Sequence, residues 1–132
     1  MMTKTPKQYA RSLLCGCWFS TNTTNEGLKS TEYSEILPDG SFEFTFSRFD
    51  SNNQLIEKVT ELGDWGLVGD IHFTITKDEV IDEQLYAADL NDEGNYQAYR
   101  VLQLNHQIFE YQHILTNETY IMRRVVDNIG HC

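Results

Sequence analysis

Basic charge, proline and cysteine are scarce in this chain, and long apolar runs are missing altogether. No span of about 18 apolar residues is present, so nothing in the sequence reads as a membrane helix. The string Leu14-Cys15-Gly16-Cys17 resembles a lipoprotein processing site, but such a site needs roughly 7–15 apolar residues before the cysteine. PKQYARSLL supplies only Ala10, Leu13 and Leu14 around Arg11. A cytoplasmic location is therefore expected, with Asn22-Thr23-Thr24 and Asn117-Glu118-Thr119 as chance matches to the glycosylation pattern. Ten Lys and Arg stand against twenty Asp and Glu, for a formal charge of -10, and no basic run exceeds Arg123-Arg124. That balance repels phosphate backbones and anionic lipid, which excludes nucleic acid and membrane surfaces as expected partners. The sequence holds no signal for an oligomeric state.

Three cysteines, Cys15, Cys17 and Cys132, form an odd set that suits free thiols in a reducing compartment. One residue separates Cys15 from Cys17 and no second Cys or His pair follows, so neither zinc nor a disulfide is expected there. The string DLNDEG imitates the start of a calcium loop at Asp89. Its twelfth position, which should be a bidentate Glu, is Arg100. No metal and no cofactor are expected.

What the chain does hold is aromatic side chains, with seven Phe, seven Tyr and two Trp, and a dominant period of two. In SFEFTFS, Phe42, Phe44 and Phe46 oppose Ser41, Glu43, Thr45 and Ser47. In DIHFTIT, Ile71, Phe73 and Ile75 oppose His72, Thr74 and Thr76. Both read as half-buried antiparallel strands. Turn residues at 38–40, 50–53, 69–70, 104–106 and 116–118 separate strands expected at about 15–24, 29–37, 41–49, 54–62, 64–68 with 70–77, 96–104, 106–115 and 118–126. Only 78–95 breaks the alternation and reads as one long connection. Residues 1–12 read as an N-terminal tail and 13–132 as one all-β domain, a single antiparallel up-and-down barrel of about eight strands. Closure hides the sheet edges, whereas a two-sheet sandwich would normally show longer crossings than these turns allow.

Gly16-Cys17-Trp18 on the first strand, a second Gly63-Asp64-Trp65, and an arginine in the closing TYIMRRV together resemble the pattern of small bacterial lipocalin-like domains of the calycin superfamily. The resemblance covers roughly residues 14–126. It implies a lipocalin-like barrel in which Gly16, Trp18, Gly63 and Trp65 are structural motif residues. Arg124 would pack against Trp18 and plug one end, with Arg123 as the partner if the register differs by one. The helical pair that fatty-acid-binding proteins insert after their first strand has no counterpart, because only NTTNEG is available for it.

The candidate ligand-binding residues are Phe44, Phe46, Arg48, Tyr99, Tyr111, His113 and Arg124. Arg48 is in phase with Phe44 and Phe46, and Arg124 with Tyr120 and Met122, so both arginines are expected to point inward. A buried guanidinium needs a partner, and a weakly anionic ligand would supply one; pairing with Glu43, Glu57 or Glu110 at a wet rim is the other reading of these arginines. Phe109, Tyr111 and His113 share a face that either lines a cavity or forms an outer stripe. Either face of 96–104, with Tyr99 on one and Arg100 on the other, can turn inward. No catalytic residue is assigned: Cys15 and Cys17 alternate away from Trp18, and Glu110 and His113 point to opposite faces of one strand. The function expected is binding of a small apolar or weakly anionic molecule inside the barrel. The alternative is a non-catalytic interaction or structural domain whose barrel is filled by its own side chains.

Overall fold

A computed structural model describes residues 7–126 of the chain. Nine strands follow a single turn of helix, α1 (Arg11–Leu14): β1 (Gly16–Thr23), β2 (Lys29–Ile36), β3 (Ser41–Phe49), β4 (Leu55–Val68), β5 (Ile71–Ile81), β6 (Gln84–Ala87), β7 (Tyr96–Leu104), β8 (Ile108–His113) and β9 (Thr119–Arg124). Neighbours pair antiparallel in the order β4-β3-β2-β1-β9-β8-β7-β5, and a β4–β5 ladder returns the sheet on itself. Eight strands thus close into a barrel, with β6 added as a flap on the far end of β5.

Two elements differ from the sequence expectation. First, β4 runs unbroken over 14 residues instead of splitting near residue 63. The register shifts between Leu62 and Gly63, and a Cβ at Gly63 would sit 1.9 Å from the Ile75 carbonyl oxygen, so only glycine lets the strand bend past β5 there. Second, the segment 78–95 is not one loop. β5 continues to Ile81 and turns through Asp82 and Glu83, with φ of 52° and 65°, into β6. Positive φ at both central positions is the geometry of a tight hairpin turn normally built from Asn-Gly.

One end of the barrel is closed by side chains from both Gly-x-Trp strings. Trp18 is fully buried and its indole N–H donates to the Leu14 carbonyl at 2.9 Å. The Arg124 guanidinium lies 4.1 Å from the Trp18 ring centroid, on the strand position paired with Trp18 itself. It donates to the carbonyls of Cys15 at 2.8 Å, His106 at 2.8 Å and Leu13. Gly16, with φ of +131°, passes so close beneath that a Cβ would meet the guanidinium at 2.5 Å, which requires glycine twice over. Trp65 repeats the arrangement across the barrel: its N–H donates to the Leu37 carbonyl at 2.8 Å and Arg11 lies 4.6 Å over its ring. Residues 9–14, read partly as a tail, therefore belong to the plug, with Leu14 fully buried and Tyr9 bonded to Gly69. Each of Trp18, Phe42, Ile36 and Phe109 is buried here, at about 1.5–3 kcal/mol per large apolar side chain.

Cys17 corrects the expectation of free thiols. It is buried and disulfide-bonded, while Cys15 is free. Cys132 lies outside the described residues. Desolvation pushes the Cys15 thiol above its ordinary range.

Candidate functional site

Above the plug the barrel is not filled. A cavity of about 430 Å³ occupies its other half, within the range of about 300–1,000 Å³ common for ligand pockets. Gly94 from a 3-10 turn, Thr116 from the β8–β9 connection and Tyr120 from the start of β9 line it.

The walls are built strand by strand from the inward phase. β3 contributes Phe44 and Phe46, as its alternation indicates. β8 contributes Phe109, Tyr111 and His113, which resolves the open choice of face on that strand. β7 contributes Gln97 and Tyr99, after which a register shift between Val101 and Gln103 turns Leu104 into the core in place of Gln103. Tyr111 stacks on Phe109 at 4.3 Å and on Tyr120 at 5.3 Å, and meets Tyr99 edge-on at 5.1 Å. Of the ligand-contact residues expected from sequence, the structure brings Phe44, Phe46, Tyr99, Tyr111 and His113 together on this cavity.

It does not bring the arginines there. Arg48 lies one inward step beyond Phe46, past the rim, where its side chain is 61 % exposed and binds Glu57 at 2.5 Å. Arg124 spends its donors on the three carbonyls of the plug. Arg100 faces outward and pairs with Asp70 at 2.7 Å. No lysine or arginine lines the cavity among the described residues, so the anchor expected for an anionic ligand is absent from it.

Instead the cavity holds two carboxylates that the sequence reading missed. Glu32 in β2 and Glu61 in β4 both line it. Glu32 pairs across strands with Phe46, and Glu61 with Phe44, so the two acids flank the phenylalanine face. The Ser34 hydroxyl donates to Glu32 at 3.0 Å and the Thr76 hydroxyl donates to Glu61 at 2.9 Å. Burial raises the Glu32 carboxyl above its usual range, against the Ser34 hydrogen bond, and the neighbouring Glu61 charge adds to the rise. Glu61 is raised by the same desolvation, opposed by Thr76 and aided by Glu79. Both acids were legible by phase: Glu61 alternates with Gly63 and Trp65, and Glu32 alternates with Ser34, the strand partner of Trp18.

The fourth wall reverses the expected pattern. In β5 the buried residues are His72, Thr74 and Thr76, while Phe73 is exposed and Ile71 and Ile75 are only partly covered. His72 Nδ1 lies 3.3 Å from the Gly66 carbonyl, and burial holds the imidazole neutral with a pKa lowered to about 4. In His113, Nδ1 accepts the backbone N–H of Leu115 at 3.0 Å and Thr116 at 3.3 Å, so the ring is the Nε2–H tautomer and donates to Gln97 Oε1 at 2.5 Å. The hydroxyls of Tyr99 and Tyr111 form no hydrogen bond among the described residues, and since no buried side-chain polar atom there lacks a partner, both reach the open space of the cavity. Desolvation, with Glu32 close by, pushes both phenols up, so they stay protonated donors.

A solved structure of a lipocalin-like protein from Bacteroides uniformis superposes with a TM-score of 0.50, covering 86 % of this chain and 99 % of that one, at 14 % identity. The fold is lipocalin-like. No family model matches the sequence, and no curated protein matches it. The lipocalin-like barrel here pairs a tryptophan–arginine plug with an acid-lined aromatic cavity.

Proposed function

We propose that this chain is a lipocalin-like binding protein that holds one small molecule with an apolar body in the barrel interior. The observation that carries the reading is the open 430 Å³ cavity walled by Phe44, Phe46, Tyr99 and Tyr111, whose two unpartnered hydroxyls face it. Space of that kind counts against a barrel filled by its own side chains. The Gly-x-Trp and closing-arginine geometry supports placing the chain among the small bacterial lipocalin-like domains of the calycin superfamily. The net charge of -10 supports a partner that is neither nucleic acid nor membrane.

Binding is tested with a neutral apolar dye such as N-phenylnaphthylamine, together with native mass spectrometry of the purified protein. Enhanced dye fluorescence at micromolar concentration that is lost in Thr74→Phe, which fills the cavity, supports the reading. Absence of both dye uptake and any bound mass would pass it to the interaction-domain alternative. The compartment turns on Cys17. A reducing cytoplasm keeps thiols free, so trapping thiols at lysis decides it: a free Cys17 supports the cytoplasmic location, and a blocked one sinks it.

A further inference from the structure

We propose that the cavity recognises a small organic cation, an ammonium group on an aromatic or aliphatic body, with Glu32 as its counter-ion and Glu61 as a second acceptor. The inference rests on the binding reading above and names the chemical class of the ligand.

Charge inventory is the first support. The ionisable groups facing the cavity are the carboxyls of Glu32 and Glu61, the phenols of Tyr99, Tyr111 and Tyr120, and the imidazoles of His72 and His113. His113 is held as the Nε2–H tautomer by two backbone donors, and His72 is buried against Gly66. The cationic side chains that pack nearby are engaged elsewhere: Arg48 with Glu57, Lys77 with Asp64, and Arg124 with the plug carbonyls. Each cavity carboxylate receives one neutral hydroxyl donor among the described residues, where a desolvated carboxylate is ordinarily met by a cation or several donors.

Shape is the second. Phe44, Phe46, Tyr99, Tyr111 and Tyr120 surround the acids with ring faces and edges, and the negative face of an aromatic ring attracts a desolvated ammonium. Acceptors are in excess: His72, whose Nδ1 lies against a carbonyl, keeps Nε2 as a lone-pair acceptor, and the Tyr120 hydroxyl already donates its hydrogen bond to Glu118 at 2.6 Å. The Tyr99 and Tyr111 hydroxyls, which can accept as well as donate, can turn a lone pair toward an ammonium, whereas a carboxylate in the same space would lie against the charges of Glu32 and Glu61. The acidic surface of the whole chain steers the same class of ligand inward.

The test uses three probes on one body, phenethylamine, phenethyl alcohol and hydrocinnamate, titrated calorimetrically and by displacement of the neutral dye at pH 7.5. The amine is expected to bind about 10- to 100-fold tighter than the alcohol, the span of one charge-assisted contact, and the acid to bind weakest. Glu32→Gln should remove most of that preference by weakening the amine far more than the alcohol or the dye, and Glu61→Gln should remove less of it. Dye uptake without preference for the amine, or a preference that survives in both variants, overturns the cation inference and leaves the binding reading standing. Failure of all three probes and the dye overturns both.

Discussion

The two halves of this barrel bury charge in opposite ways. At the plug, Arg124 sits on a tryptophan face with three backbone carbonyls around its guanidinium. In the cavity, Glu32 and Glu61 share a low-dielectric space with rings and receive one hydroxyl each. A buried ion whose valences are filled by its own chain is architecture. One left with spare valences facing open space is a binding group, because desolvation has been incurred without a matching partner.

The comparison predicts that removing plug groups unfolds the protein, while neutralising cavity groups does not. The largest effect is expected for Trp18→Ala, which leaves a cavity beneath Arg124 and Phe109 and should lower stability by about 3–5 kcal/mol in urea titration. A loss below 1 kcal/mol would mean that the plug does not hold the barrel closed.

His72 comes next, because it bridges the halves, with rings 6.0 Å from Trp65 and 6.1 Å from Tyr99. Its folded pKa of about 4 lies below the ordinary 6.5, so between these values the unfolded chain binds more protons. Stability is therefore complete above pH 6.5 and declines as pH falls through that window, by roughly 3 kcal/mol when pH 4 is reached. Glu32 and Glu61, whose carboxyls are raised, act in the opposite direction toward pH 4.5. Subtracting the profile of a His72→Gln variant isolates the histidine; identical wild-type and variant profiles would show that His72 is not buried neutral.

Arg124→Met strands three carbonyls and removes the cation over Trp18, for an expected loss of about 2–3 kcal/mol by thermal or urea unfolding. Arg48→Met, whose guanidinium is paired in water, should change stability by less than about 0.5 kcal/mol; equal losses would erase the distinction drawn between these two arginines. The smallest effect has the opposite sign. Glu32→Gln relieves a desolvated charge and should stabilise the unliganded protein by about 1 kcal/mol at pH 7.5, a gain that vanishes toward pH 4.5. Destabilisation at pH 7.5 would place an unseen cation beside Glu32 in the empty protein.

The barrel was legible because turn residues punctuate a chain of alternating aromatics, and each Gly-x-Trp string marks a strand that enters the plug. Alternation in β3 placed Phe44 and Phe46 on the correct wall. The same logic misread β5, because hydrophobic periodicity assumes a dry interior. Where the interior holds a cavity, His72 and Thr74 line it, and Ile71, Phe73 and Ile75 are left to the outer surface. The β5–β6 hairpin stayed hidden because Asp82-Glu83 occupies a turn whose usual marker is Asn-Gly. Arg48 was in phase yet outside, since phase specifies a face but not how far along the strand the cavity extends. The inward switch of β7 depended on a one-residue bulge near Leu102, which carries no glycine to announce it.

The plug also equips the molecule with its own optical reporters. Both tryptophans lie beneath the cavity, each with its indole N–H fixed to a carbonyl. Trp18 touches the tyrosine wall through Phe109, at 5.7 Å, and Trp65 touches it through His72. Light absorbed by Tyr99, Tyr111 and Tyr120 is within transfer range of these indoles, so a guest seated between the rings alters emission from residues it never contacts. Occupancy of the barrel can thus be followed on the unlabelled protein, with Trp18→Phe and Trp65→Phe assigning the signal to one side of the floor or the other.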